Sequence, residues 1–229
     1  MKTILITGSS QGIGRFLAGH WLAQGWRVVG CSRGETDLEH AGYRHVQTDI
    51  TDETAVRKLF ASVRRREGRL DALVNNAGIG GMNHALLTPA AAVARILAVN
   101  VTGTFVCCRE GAKLMQGAGG RIVNFTSVAV PLHLEGEAAY AASKAAVEEL
   151  TRVLAREFAP LGVTVNAVGP GPIATALTRG VPEEKLKRLA GRLALRQPAE
   201  LADVANAVEF FLRPESRLVT GQILYLGGP

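Results

Sequence analysis

In the segment EAAYAASKAA, residues 137–146, Tyr140 and Lys144 stand four residues apart. On a helix that spacing puts both side chains on one face. A phenol beside an ammonium is either an ordinary surface pair or a proton donor whose acidity its neighbour tunes. Tyrosine is a poor acid catalyst at its unperturbed pKa of about 10. A cation one turn away stabilises the phenolate and draws that pKa toward the working range. Ser127 closes the apolar run RIVNFTS, where its hydroxyl can donate to a carbonyl oxygen as negative charge develops. Reducing a ketone needs such a proton donor, and a hydride from elsewhere. Ser143, inside the Tyr140–Lys144 interval, reads as a small packing residue.

The hydride source is indicated near the N-terminus. TGSSQGIG, Thr7 to Gly14, joins an apolar β-like run to a helical pattern. Its glycines permit a tight turn and close backbone approach, and the helix N-terminus that follows offers unpaired N–H groups to a pyrophosphate. Three residues separate the first two glycines, so the spacing is not GxGxxG, and a flexible turn is the alternative. Its place directly after a strand favours the dinucleotide. The second strand runs out at CSRG. A site for NAD places an acid there to take the ribose hydroxyls; Ser32 and Arg33 suit the 2′-phosphate of NADP(H) instead.

The elements that must position these groups alternate. Strands are expected at Thr3–Thr7, Arg27–Cys31, Arg44–Gln47, Ala72–Asn75, Arg121–Thr126, Thr164–Val168 and Gln222–Leu226, several of them continuous apolar runs. Helices are expected near 12–24, 52–67, 89–98, 101–116, 138–159, 183–192 and 200–212. This alternation predicts an α/β fold with a parallel sheet covered on both faces. The connection from Arg33 to Tyr43 is short and polar for a helix. No Pro/Gly/Ser-rich linker or repeat divides the chain, so residues 1–229 are expected to form one domain.

A hydrophobic fraction of 47% and a charged fraction of 20% are those of a soluble globular protein. No unbroken apolar run reaches the roughly 20 residues that span a bilayer, and the first strand-like run begins too early for a signal peptide. Cys31, Cys107 and Cys108 have no disulfide or zinc spacing, and Cys107 and Cys108 read as packing. A cytoplasmic location follows. The net charge of +6 admits an anionic partner. Arg64, Arg65 and Arg66, however, sit at a helix end, where they suit the dipole, and no nucleic-acid-binding pattern is present. None of the five histidines has metal-ligand spacing, so no catalytic metal is expected.

Taken in order, TGSSQGIG, NNAG at 75–78, the VN ending at Asn100, the FTS ending at Ser127, YAASK at 140–144 and PGPIAT at 170–175 resemble the short-chain dehydrogenase/reductase family along essentially the whole chain. The resemblance implies a Rossmann-type, doubly wound sheet of seven parallel strands. It implies that Gly8, Ser10, Gln11, Gly12, Ile13 and Gly14 line the pyrophosphate turn, that Asp49 holds the adenine amino group with Ile50 beside it, and that Asn76, Ala77 and Gly78 pass along the ribose. Pro170, Gly171, Ile173 and Thr175 would border the nicotinamide, and Lys144 would hold its ribose. Asn100 would position a water that relays protons through Lys144. Asp49 also reads as a turn or cap residue, and Asn100 as a helix-bending or capping one.

The C-terminal half looks most like 3-oxoacyl-thioester reductases of fatty-acid and polyketide type, which makes an acyl carrier protein a candidate partner. Lys185, Lys187, Arg188, Arg192 and Arg196 in the segment from Ala176 to Pro198 would greet a phosphopantetheine or an acidic carrier, or line a solvated amphipathic lid. The family's carrier-docking arginines correspond here to Ala118 and Leu161, which leaves Arg109, Lys113, Arg152 or Arg156 as substitutes. Three activities stay open: NADPH-dependent reduction of a 3-oxoacyl thioester, an alcohol dehydrogenase or ketone reductase for a small cyclic or aromatic substrate, and a non-catalytic dinucleotide-binding scaffold. The resemblance also implies a homotetramer, with a dimer as the fallback. Its interfaces would use the helices near 101–116 and 138–159, and the last helix with the final strand.

Overall fold

The computed structural model describes residues 1–173 and 183–229. The strands are β1 Thr3–Thr7, β2 Arg27–Ser32, β3 Tyr43–Gln47, β4 Ala72–Asn75, β5 Gly120–Phe125, β6 Val163–Gly169 and β7 Ile223–Tyr225. They form one parallel sheet in the order β3-β2-β1-β4-β5-β6-β7. Each expected strand is present within a residue of its expected ends. Every residue of β1, β4 and β6 is buried, which is why apolar residues dominate these runs instead of alternating with polar ones.

The helices are α1 Gly12–Ala23, α2 Glu53–Arg66, α3 Ala90–Leu97, α4 Thr104–Met115, α5 Ala129–Leu132, α6 Ala138–Phe158, α7 Glu183–Ala190 and α8 Leu201–Leu212. Alternation along β1 sends Ile4 and Ile6 to one core and Leu5 to the other. On the first face, α1 and α8 pack Leu17, Trp21, Val204 and Phe211 over the sheet. On the second, α2, α4 and α6 supply Leu59, Phe60, Cys107, Met115 and Leu154. The fold is therefore a doubly wound, Rossmann-type sheet.

Local chemistry sets the ends of these elements. Asp52 caps α2, its Oδ1 accepting from the N–H groups of Thr54 at 2.8 Å and Ala55 at 3.1 Å. Arg64, Arg65 and Arg66 fill that helix's last turn, where cations oppose the dipole's negative end. Residues 33–42 carry no helix, as their polar composition suggests.

Two differences from the sequence expectation concern the site. The helices near 89–98 and 101–116 are joined by a π-helical turn, Ala98–Gly103. The resulting rod, Ala90–Met115, is by length and composition apolar enough to cross a membrane; Arg95 and Asn100 interrupt it and hide it from a search for unbroken apolar runs. Its buried side, including Val106, Cys107, Cys108 and Met115, belongs to the second core. A short α5, not expected, follows Ser127 directly. The strand order reverses between β1 and β4, so the crevice at the carboxyl ends of these strands is the place where such sheets bind ligands.

Candidate active site

The glycine loop is built so that side chains cannot fill it. Gly8 has φ +69°, and a Cβ on it would stand 2.8 Å from the Cα of Ala77. A Cβ on Gly14 would stand 2.3 Å from the carbonyl oxygen of Gly8. Asn76 closes the loop from the end of β4, its Nδ2 donating to the carbonyls of Thr7 at 3.0 Å and Gly8 at 3.1 Å. The Ala77 N–H donates to Thr7 Oγ1 at 3.0 Å. Gln11, at the N-cap of α1, makes no side-chain cap, and the first turn holds no acid. The orphan N–H groups there are thus left for an anion. Ser10, Gly12 and Ile13 are half-buried beside exposed Gln11. Bare backbone, free N–H groups and a helix dipole at one point fit a dinucleotide's pyrophosphate.

Along the adenosine edge, Ser32 ends β2 and exposed Arg33 follows it. Ser32 Oγ donates to the Gly34 carbonyl at 2.8 Å and lies 2.8 Å from His45 Nε2. The exposed Asp49 folds into a turn: its Oδ1 accepts from Thr51 N at 2.9 Å and Thr51 Oγ1 at 2.8 Å. The Thr51 backbone N–H is the chief cause that holds its carboxyl below the usual range; Arg33 and Arg95 add to this from a distance. The turn reading of Asp49 thus holds in the structure. Its neighbour Ile50 is buried against Gly103 in the π turn.

Tyr140, Lys144, Ser127 and Asn100 converge where β4 and β5 end. Tyr140 and Ser127 are partly exposed, while Asn100 and Lys144 are buried behind them. Ser127 lies beside the Tyr140 phenol, close enough for its hydroxyl to favour the phenolate. Lys144 Nζ donates to the Phe125 carbonyl at 2.8 Å and lies 5.8 Å from the centre of the Tyr140 ring. A Cβ on Gly78 would stand 3.3 Å from Asn100 Oδ1 and 3.4 Å from Lys144 Nζ, so NNAG, Asn100 and Lys144 share one spot. The π turn presents Asn100, a distortion that recurs at functional sites. Asn100 Oδ1 accepts from Ile79 N and its Nδ2 donates to Ile79 O, both at 2.9 Å.

Two results depart from the sequence expectation. Ser143 does more than pack: its Oγ accepts from Asn100 Nδ2 at 3.0 Å and donates to the Tyr140 carbonyl at 2.7 Å. The Tyr140 phenol also shifts in the direction opposite to the expected one. Desolvation pushes the phenol up to about 12, Ser127 pulling the other way and Glu137 adding to the rise. Lys144, desolvated too, falls to about 8. The pair has the expected placement, but in the protein alone the phenolate is disfavoured because low dielectric penalises it more than its neighbours stabilise it.

On the substrate side, Pro170 and Ile173 are buried and Gly171 is half-buried just beyond β6. Thr175 lies outside the described residues, as does the segment 176–182. Glu137 was not singled out from sequence. It stands three residues before Tyr140, half-buried, and burial raises its carboxyl pKa. Of the substitute docking cations, Arg156 is exposed, while Arg109 pairs with Glu53 and Glu110, and Lys113 with Glu110, each at 2.9 Å. Arg152 lies 3.4 Å from Glu149 and 3.6 Å from Glu148. Ala118 and Leu161 border a shallow surface groove at the starting ends of β5 and β6, away from Tyr140.

Comparison with known proteins agrees with this geometry. A family model described as Enoyl-(Acyl carrier protein) reductase matches residues 8–228. A short-chain dehydrogenase/reductase of Armillaria gallica is 35% identical, the match covering 99% of this chain and 95% of that protein. The 3-oxoacyl-[acyl-carrier-protein] reductase FabG of Staphylococcus epidermidis is 30% identical, with 99% and 98% covered. Among solved structures, the ligand-free aldohexose dehydrogenase of Thermoplasma acidophilum superposes with a TM-score of 0.91 at 30% identity, covering 99% of this chain and 93% of that one.

Proposed function

Because the chain belongs to the short-chain dehydrogenase/reductase family, whose members are oxidoreductases using a nicotinamide dinucleotide, we propose that it reduces the ketone of a 3-oxoacyl thioester with NADPH. The observation that carries this reading is Ser127 and Tyr140 side by side and partly exposed, with buried Lys144 and Asn100 behind them. The bound nicotinamide would supply the hydride. Ser127 then donates to the ketone oxygen, and Tyr140 delivers the proton as charge develops there. Lys144 grips the nicotinamide ribose and, with Asn100, resupplies the proton. Gly8, Ser10, Gln11, Gly12, Ile13 and Gly14 hold the pyrophosphate, Asn76, Ala77 and Gly78 the ribose, Asp49 and Ile50 the adenine, and Pro170, Gly171 and Ile173 border the nicotinamide. Ser32 and Arg33 support NADP(H), since no carboxylate occupies the end of β2.

The likeness to FabG supports the thioester, and the ion pairs that already hold Arg109, Lys113 and Arg152 favour a coenzyme A thioester over a carrier protein. A second reading, a dehydrogenase for a small hydroxylated substrate, draws on Glu137. A carboxyl beside the proton donor suits substrate hydroxyl groups as hydrogen-bond partners, and the structural neighbour named for aldohexoses is consistent with it. Exposed Phe105 and Val153 on α4 and α6, and Phe210, Leu218 and Leu224 near α8 and β7, support a homotetramer. The three buried free thiols suit the cytoplasm.

The test is NADPH oxidation with acetoacetyl-coenzyme A, the same acyl group on a carrier protein, free cyclic ketones, and NADP reduction with aldohexoses. A kcat/KM at least about tenfold higher for a thioester supports the first reading. Turnover confined to free ketones or sugars selects the second. NADPH binding without turnover of any of them leaves a scaffold.

A further inference from the structure

His45 is a half-buried histidine on an outer strand of the sheet with no place in the chemistry above. The register pairs it with Gly30, and it shares a strand face with Tyr43, two residues back. Tyr43 turns its hydroxyl to within 3.1 Å of Ser9 Oγ in the glycine loop, so His45 faces the dinucleotide side of the sheet. Its Nε2 lies 2.8 Å from Ser32 Oγ. Because that hydroxyl donates to the Gly34 carbonyl, it accepts from His45, which fixes the imidazole as the Nε2–H form.

We infer that His45 is a third member of the 2′-phosphate site, holding Ser32 in place and adding positive charge beside Arg33 when the phosphate binds. The inference rests on the NADP(H) reading. Burial holds the imidazole toward its neutral form, opposed by the field of Glu35. The other charged or titratable groups on this side are Arg33 after β2, the Tyr43 phenol at a ring distance of 6.4 Å, and the Arg15–Asp37 pair at 2.9 Å. Arg44, on the opposite strand face, is committed to Glu67 at 2.9 Å. A phosphate dianion placed at Ser32 and Arg33 meets Glu35 as a like charge, and a proton taken up by His45 offsets it. Binding of the phosphate and protonation of His45 therefore favour each other.

A merely structural histidine would be replaced by any side chain able to hold Ser32, so charge must be separated from hydrogen bonding. His45→Gln keeps an amide donor and carries no charge. Dissociation constants of NADPH and NADH are measured by fluorescence titration for wild type and variant, at about pH 6 and about pH 8.5, either side of the histidine range. The variant-to-wild-type ratio cancels the phosphate's own titration near pH 6. The expected ratio for NADPH is about tenfold at the lower pH and about threefold or less at the higher. For NADH it stays near one at both, which also reports that the variant is folded. An NADPH ratio that is the same at both pH values, or a ratio for NADH that rises with it, overturns the role of His45 alone. A wild type that binds NADPH no more tightly than NADH overturns the NADP(H) reading and this inference together.

Discussion

Lys144 Nζ donates to the main-chain carbonyl of Phe125 across 2.8 Å, fastening α6 to the strand that leads into Ser127. That contact holds a nearly dry ammonium, whose pKa burial draws down to about 8. The folded state thus binds fewer protons at Lys144 than the unfolded chain between about pH 8 and the ordinary lysine value of 10.5, and stability rises with pH through that window. Below it the destabilisation is fully present. Lys144→Met is expected to abolish turnover yet raise the melting temperature near pH 7, with the advantage fading above about pH 9. Thermal melts across pH check this; a variant less stable at neutral pH contradicts the burial account.

Ser143 joins Asn100 to the Tyr140 carbonyl, so its hydroxyl fixes the turn that carries the phenol. Ser143→Ala is expected to lower kcat by up to about tenfold with little change in the NADPH dissociation constant, at a stability cost of about 1 kcal/mol. Asn100→Ala leaves both polar groups of Ile79 without their partner and should cost more, about 2–3 kcal/mol. Steady-state kinetics and denaturant melts separate the two. Equal costs would argue against the pair of hydrogen bonds between Asn100 and Ile79.

Much of this was legible in the sequence, for physical reasons. β1, β4 and β6 are covered on both faces, so burial wrote itself into mostly apolar runs such as Ile4 to Ile6 and Ala72 to Val74. Tyr140 and Lys144 were visible because helical spacing is a local property. The sign of the shift at Tyr140 was not, since desolvation comes from tertiary packing. The π turn at Ala98–Gly103 has no signature in AVNVTG, and the hydrogen bond from Asn100 to Ser143 spans 43 residues of chain. His45 and Glu137 were passed over for the same reason: their meaning lies in Ser32 and Tyr140, brought to them by strand pairing and by the start of α6.

Arg33 is exposed and its guanidinium lies near Asp49. Arg33→Asp is expected to weaken NADPH binding by about a hundredfold, while NADH binding holds or improves, because a carboxylate repels the 2′-phosphate and accepts from ribose hydroxyls. Titrations with both nucleotides measure it. Unchanged preference would defeat the assignment.

The Cβ introduced by Gly14→Ala would meet the Gly8 carbonyl at 2.3 Å and Asn76 Nδ2 at 2.5 Å. The loop must shift, so a loss of about 1–3 kcal/mol in stability is expected, together with at least about tenfold weaker binding of both NADPH and NADH. Binding lost for one nucleotide only would mean that the loop does not hold the pyrophosphate they share.

The central claim is that Tyr140 gives its proton to a substrate carbonyl. The direct measurement is single-turnover NADPH oxidation by Tyr140→Phe, with the best substrate of the panel saturating and NADPH affinity titrated alongside. Removing a positioned acid costs about 10²–10⁴-fold, so the predicted result is a rate lower by that factor with the NADPH dissociation constant within about twofold of wild type. A rate that survives the substitution, in a variant that still binds NADPH, would contradict the account.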